Sequence, residues 1–253
     1  MTTLNIQVFG QGQAVVLVHG WGMHTGVWLG FAQQLAADYQ VICVDLPGHG
    51  SSDKLVSYSL DSMSQALLAA IPVEKFIVLG WSLGATLAIA MAERSPQRVD
   101  ALFILAGNPC FVQTADWPGV LPDILDAFIE QLAVNAQVTQ QRFLALQVYG
   151  QTNCRQLLQT LKQQLQLAQS PDIEALTAGL QILKQSDLRS ALMHINCPVI
   201  VILGAEDKLI PQATLQALQQ IMPQIKLHSI ENAGHVPFLT HNEQLLALLR
   251  AAL

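Results

Sequence analysis

The chain has little charge. Only 12% of its 253 residues are Asp, Glu, Lys or Arg, and acidic residues outnumber basic ones for a net charge of −6. Few cations and a negative balance exclude nucleic acid as a main partner. Cysteine is also scarce: Cys43, Cys110, Cys154 and Cys197 lie far apart, with neither CxxC nor zinc-ligand spacing. A disulfide scaffold and a cysteine metal centre are therefore excluded, and free, mostly buried thiols in a reducing compartment are expected. Although 51% of the residues are hydrophobic, no run approaches the ~18 uncharged apolar residues of a membrane helix. Met1-Thr2-Thr3-Leu4 lacks the basic start and apolar stretch of a secretory leader, so a cytoplasmic protein is expected.

The apolar residues that are present come in short blocks, as in a parallel sheet covered on both faces. Strands are expected at 4–9, 14–18, 40–45, 75–79, 99–105, 198–203 and 225–230, and helices at 27–37, 60–71, 83–94, 212–221 and 242–252. Pro211 suits the first turn of its helix, and Thr240-His241-Asn242-Glu243 fits a capping box for the last one. Strand and helix alternate, which predicts an α/β class: a mostly parallel, doubly wound sheet, parallel apart from its first strands. The alternation stops over 110–190, where helical patterns at 121–132, 139–149, 153–168 and 173–183 follow one another without a strand. Such an insertion before the late strands sits over the carboxyl edge of the sheet, where α/β proteins bind ligands. The expected division is a core of 1–109 and 191–253 with a helical cap of 110–190.

Gly80-Trp81-Ser82-Leu83-Gly84 stands between an apolar strand and a helical run. Gly-x-Ser-x-Gly in that context reads as a nucleophile elbow, with Ser82 on a sharp turn above the sheet. A serine hydroxyl needs a general base, and the base needs an orienting carboxylate. In this chain order both come later. Asp207 follows the apolar run 199–203 through a Gly turn; Glu206 competes, but the Asp-x-x-x-Pro layout favours Asp207. His235 sits on a Gly-His loop after the strand that ends at 230, and is the expected base. An acyl-transfer site also needs donors for the oxyanion. The N–H of Leu83, directly after the serine, is one; the N–H of Trp21, in His19-Gly20-Trp21-Gly22 after an early strand, is the other. His19 is then structural and not a base.

His-Gly-x-Gly at 19–22, Asp45-Leu46-Pro47-Gly48-His49-Gly50-Ser51-Ser52, the elbow, the Asp207 turn and the His235 loop occur in order. Together they resemble the α/β-hydrolase family along its full core. Further stretches resemble the BioH family, carboxylesterases that remove the methyl group of pimeloyl-acyl-carrier-protein methyl ester in biotin synthesis. These are Asn108-Pro109-Cys110-Phe111, Asp116-Trp117-Pro118-Gly119, Arg142-Phe143-Leu144-Ala145-Leu146-Gln147 and Gly179-Leu180-Gln181-Ile182-Leu183-Lys184. The resemblance implies a cytoplasmic, monomeric esterase with no cofactor and no metal. It also implies a substrate pocket of Trp21, Ser82, Leu83, Phe143, Leu144, Ala145, Leu146, Gln147 and His235.

Residues 131–170 contain Arg142, Arg155 and Lys162 and no acidic residue. Arg155 and Lys162 are spaced to share a helical face. A basic face on an acidic protein suits docking of an acidic carrier protein. The resemblance implies more basic side chains there, where Val138 and Gln159 stand instead. Three other functions share these motifs: a broad short-chain esterase, a lyase of the menaquinone branch with the same triad, and a hydrolase-fold ligand receptor. Cap arginines facing into the pocket would favour the lyase, and outward ones carrier docking.

Overall fold

A computed structural model describes residues 2–252. Seven strands, β1 (Ile6–Phe9), β2 (Ala14–Val18), β3 (Gln40–Val44), β4 (Phe76–Trp81), β5 (Val99–Leu105), β6 (Val199–Gly204) and β7 (Lys226–Ile230), form one sheet. Its order is β1-β3-β2-β4-β5-β6-β7. Only β1 is antiparallel to its neighbour; β2 already runs parallel to both β3 and β4, so the antiparallel part is one strand where the sequence suggested more. From β4 the chain adds β5, β6 and β7 outward, and the carboxyl ends of β2 and β4–β7 share one edge.

The apolar blocks divide by alternation. Val16, Val18, Ile42, Val44, Val78 and Ile104 face one hydrophobic cluster; Val15, Leu17, Val41, Ile77, Leu79 and Phe103 face the other. Both faces are buried, which is why these strands read as continuous apolar runs. Helices α2 (Leu60–Ala70), α3 (Leu83–Arg94) and α9 (Ala213–Ile221) cover the first face; α1 (Leu29–Leu35) and α11 (Asn242–Ala252) cover the second.

Between β5 and β6 lie α4 (Pro122–Val134), α5 (Ala136–Gln147), α6 (Cys154–Leu165), α7 (Ile173–Gln185) and a short α8 (Arg189–Met193). The helical patterns of 121–183 are thus present, shifted by up to three residues at their ends, and α8 is an addition. An isolated bridge of Cys110 with Asp187 ties the start of the insertion to its end, and one of Val112 with Val120 folds its first segment on itself. The last turn before α11 departs from the sequence reading. A four-residue helix, α10 (Pro237–Thr240), precedes it, and the Thr240 hydroxyl donates back to the Val236 carbonyl at 3.3 Å. Thr240 is thus spent inside α10 and forms no capping box. Pro211 likewise lies just outside α9, which starts at Ala213. All four cysteines are free; Cys43 and Cys110 are buried, Cys197 half-buried and Cys154 exposed. No helix among the described residues is long and apolar enough to cross a membrane.

Candidate active site

Ser82 occupies the turn between β4 and α3 with φ +56° and ψ −119°, a conformation that non-glycine residues rarely adopt. Such strain costs about 1–3 kcal/mol and persists only where the surroundings dictate it. They do so here. The Ser82 N–H still donates to the Leu105 carbonyl at 3.1 Å, while its own carbonyl already accepts from Ala85. The flanking glycines have steric reasons: a Cβ on Gly80 would run into the Gly84 backbone, and one on Gly84 into the carbonyls of Val18 and His19.

Asp207 follows β6 and His235 follows β7, so both reach the sheet edge that carries Ser82. His235 Nδ1 lies 2.8 Å from Asp207 Oδ2. An ionised carboxylate only accepts, so Nδ1 carries the proton and Nε2 keeps its lone pair. Asp207 Oδ1 accepts from the N–H groups of Leu209 and Ile210 at 2.8 and 3.1 Å, which fixes the carboxylate rotamer. The rival carboxylate, Glu206, accepts from Gln151 Nε2 at 3.3 Å and leaves His235 alone. Trp81, beside the serine, donates its indole N–H to the His235 carbonyl at 2.8 Å, tying the histidine loop to the elbow. Ser82 Oγ and His235 Nε2 are both buried and neither makes a hydrogen bond.

The loop at 19–22 stands against the serine: a Cβ on Gly20 would lie 3.2 Å from Ser82 Cβ. His19 Nδ1 lies 2.9 Å from the Gly20 carbonyl, and its Nε2 accepts from Leu46 N–H at 2.9 Å. That pattern requires a neutral ring, and burial accordingly lowers its pKa to about 3. His19 is structural, as its place in the chain suggested. Leu83 is the first residue of α3, where an N–H has no acceptor within the helix. Asp45 gathers the neighbouring loops, accepting from Thr25 N–H, Ser51 N–H and Asn5 Nδ2 at 2.6, 3.0 and 2.8 Å.

The helical insertion closes over this edge. Trp21 Nε1 donates to the Leu176 carbonyl of α7 at 2.7 Å, and Gln140 Nε2 of α5 donates to the Gly22 carbonyl at 2.6 Å. Phe143 packs on Trp21 with ring centroids 4.8 Å apart. Gln147, one turn further along, is buried with neither side-chain polar atom partnered, and Gln151 lies against Gly234 beside His235. The face of α5 bearing 140, 143 and 147 thus runs from the Trp21 loop towards the His235 loop. The expected pocket set 143–147 is therefore divided. Phe143 meets Trp21 and Gln147 is enclosed, while Leu144 turns into the other cluster with Val148 and Leu161. Ala145 and Leu146 are half-buried. A helix cannot turn five consecutive side chains to one side, and 143–147 divide accordingly.

The basic residues also divide. Arg155 and Lys162 border one surface depression on α6. Arg142 borders another, between α4 and α5, where it bonds Gln131. Gln140 and Leu176 were not singled out in the sequence; Asn108, in one of the quoted stretches, is buried with no partner for its amide. Gln140 precedes Phe143 by one helical turn, which is the only signal that could have found it.

The family model of the α/β hydrolase fold matches residues 13–242. A pimeloyl-[acyl-carrier protein] methyl ester esterase of Methylococcus capsulatus is 41% identical over 97% of this chain and 96% of its own. The protein of the same name from Nitrosomonas europaea is 38% identical over 99% of this chain and 100% of its own. The chain belongs to the α/β-hydrolase family, and within it to the pimeloyl-[acyl-carrier protein] methyl ester esterases. Among solved structures, an esterase from Exiguobacterium antarcticum superposes with a TM-score of 0.88 over 99% of this hydrolase and 95% of that chain, at 22% identity. This second likeness speaks for the fold alone.

Proposed function

We propose that this hydrolase cleaves the methyl ester of pimeloyl-acyl-carrier protein, releasing methanol and the free acid, in biotin synthesis. The carrying observation is the buried His235–Asp207 pair, 2.8 Å apart, on the sheet edge where Ser82 holds its strained turn. The relatives' names supply the substrate. His235 Nε2 takes the Ser82 proton as Oγ attacks the ester carbonyl. The oxyanion is received by the N–H groups of Trp21 and Leu83, fixed donors in a dry site. Collapse expels methanol, protonated by His235, and leaves a pimeloyl ester on Ser82. Water, deprotonated by His235, then attacks that ester and frees Ser82. Asp207 holds the ring orientation and offsets the imidazolium charge. Trp21, Phe143 and Gln147 bound the acyl site, where each buried methylene contributes about 0.8 kcal/mol.

In this reading residues 110–190 form the cap, and Arg142, Arg155 and Lys162 dock the carrier. Arg142 and Arg155 are exposed. That suits an acidic protein outside the pocket and not a charged substrate within, so it favours the esterase over the lyase. The test is hydrolysis of pimeloyl-carrier methyl ester, followed by methanol release, with Ser82→Ala as control. A loss of about 10⁴–10⁶ in turnover is expected for that variant. Retained activity overturns the nucleophile; hydrolysis of simple esters without the carrier substrate overturns only the substrate assignment.

A further inference from the structure

The serine is sealed: Ser82 is 2% and His235 1% exposed. Groups over the serine must therefore move for substrate to enter, and the helical cap closes over this edge. Two of its polar contacts fall on the loop that carries one oxyanion donor. Trp21 Nε1 binds the Leu176 carbonyl of α7, and the Gly22 carbonyl takes Gln140 Nε2 of α5 at 2.6 Å.

The restraints on the loop differ in origin. On its upstream side, the Gly20 carbonyl is held by core groups, His19 Nδ1 at 2.9 Å and Met23 N–H at 3.3 Å. That peptide also carries the Trp21 N–H, which in a trans unit points opposite to the carbonyl. On the downstream side Met23 N–H, in the same peptide as the Gly22 carbonyl, turns back to Gly20, and Thr25 N–H is held by Asp45 at 2.6 Å, but the Gly22 carbonyl itself takes its donor from the cap. Gly22 has φ +70° and no side chain, and Gln140 Nε2 lies 3.0 Å from where its Cβ would be. Gln140 is itself buried, with 6% exposure. Removing its amide would leave the Gly22 carbonyl buried and without a donor among the described residues, and the loop would shift to find one.

We propose that Gln140 is a positioning residue: through the Gly22 carbonyl it fixes the Trp21 segment, so that the oxyanion donors are complete only while the cap is seated. This rests on the assignment of Trp21 and Leu83 as those donors. The loop is competent with the cap closed and slack with it open, which confines carbonyl attack to the water-excluded state.

Gln140→Met keeps length without a donor, and Gln140→Glu puts a carboxylate against the Gly22 carbonyl. Each is compared with wild type in kcat and KM on p-nitrophenyl butyrate, in melting temperature, and in inhibition by butylboronic acid. In the last, Ser82 Oγ adds to boron and its proton passes to His235, giving a tetrahedral anion at the oxyanion position. Loss of one whole oxyanion donor costs about 10²–10³ in kcat. Loosening one should cost Gln140→Met about tenfold in kcat and a similar factor in boronate affinity. KM should stay within about twofold and Gln140→Glu should lose more. A lower melting temperature with unchanged kcat and boronate affinity overturns the proposal. If Met or Glu does not fold, Gln140→Asn, which keeps the amide but falls short of Gly22, takes its place with the same two outcomes. Wild type inert towards both ester and boronate overturns the esterase reading itself; active wild type with indistinguishable variants overturns only the role of Gln140.

Discussion

Gly179 of α7 lies so close to the Trp21 indole that a Cβ at 179 would stand 2.7 Å from Trp21 Cδ1 and 3.0 Å from Leu83 Cδ2. A glycine inside a helix normally costs about 1 kcal/mol relative to alanine. Gly179→Ala should therefore stabilise the protein if the contact is slack, and destabilise it if the contact is tight. We expect a melting temperature lowered by several degrees and turnover reduced about tenfold or more, since both displaced residues carry the proposed oxyanion donors. A higher melting temperature with full activity refutes this.

Asp207 and Glu206 are adjacent carboxylates with different partners, so their amide variants should separate cleanly. Asp207→Asn loses the acceptor that sets the His235 tautomer and should cost about 10³–10⁴ in kcat with the fold retained. Glu206→Gln should stay within about threefold, because only Gln151 feels it. Equal losses in ester turnover would mean that the pair is misassigned.

Acid stability follows from two buried histidines outside the triad. Burial lowers the pKa of His19 to about 3 and also lowers that of His49, both by penalising the charged ring. In the unfolded chain each titrates near 6.5. As pH falls below about 6.5 the unfolded chain binds protons that the folded one refuses, so this stability is complete above that pH and declines towards 3. The slope is up to about 1.4 kcal/mol per pH unit for each ring. Burial raises the pKa of Asp45, but His19 and the amides of Ser51 and Thr25 outweigh it, so its net shift is downward and adds a loss of the same sign at lower pH. Urea midpoints at pH 7.5 and 5.0 should show the lower stability at 5.0; a flat or inverted result contradicts the assignment.

Charge on the α6 surface should matter for a carrier-bound ester alone. Arg155→Glu with Lys162→Glu is expected to raise KM for the carrier-bound ester about tenfold or more at low salt, with the gap narrowing as salt is added. Turnover of p-nitrophenyl butyrate should stay unchanged. Loss of both activities would point to a damaged cap, and loss of neither would remove α6 from the docking face.

Much of this was legible in the chain because the signals were local. Apolar blocks such as 14–18 and 199–203 are buried on both faces, and no polar residue interrupts them. The elbow's Gly80 is required by a clash within five residues, and Asp207 and His235 each follow a strand. What stayed illegible depends on approach across the fold. Thr240 looks like a cap until α10 takes its hydroxyl. Gln140 is one glutamine among many in the cap, and only the arrival of Gly22 from 118 residues away gives it a partner.

The pairing of β5 with β6 closes a chain segment of roughly ninety residues, and the entropy of closing a loop grows only with the logarithm of its length, about 0.6 kcal/mol per doubling. Lengthening or shortening the segment between these strands therefore changes the cost of closing the sheet very little. The length of what sits above the serine is thus only weakly constrained by the closing of the sheet below it. A lineage can retain the bond-breaking apparatus and exchange its clientele.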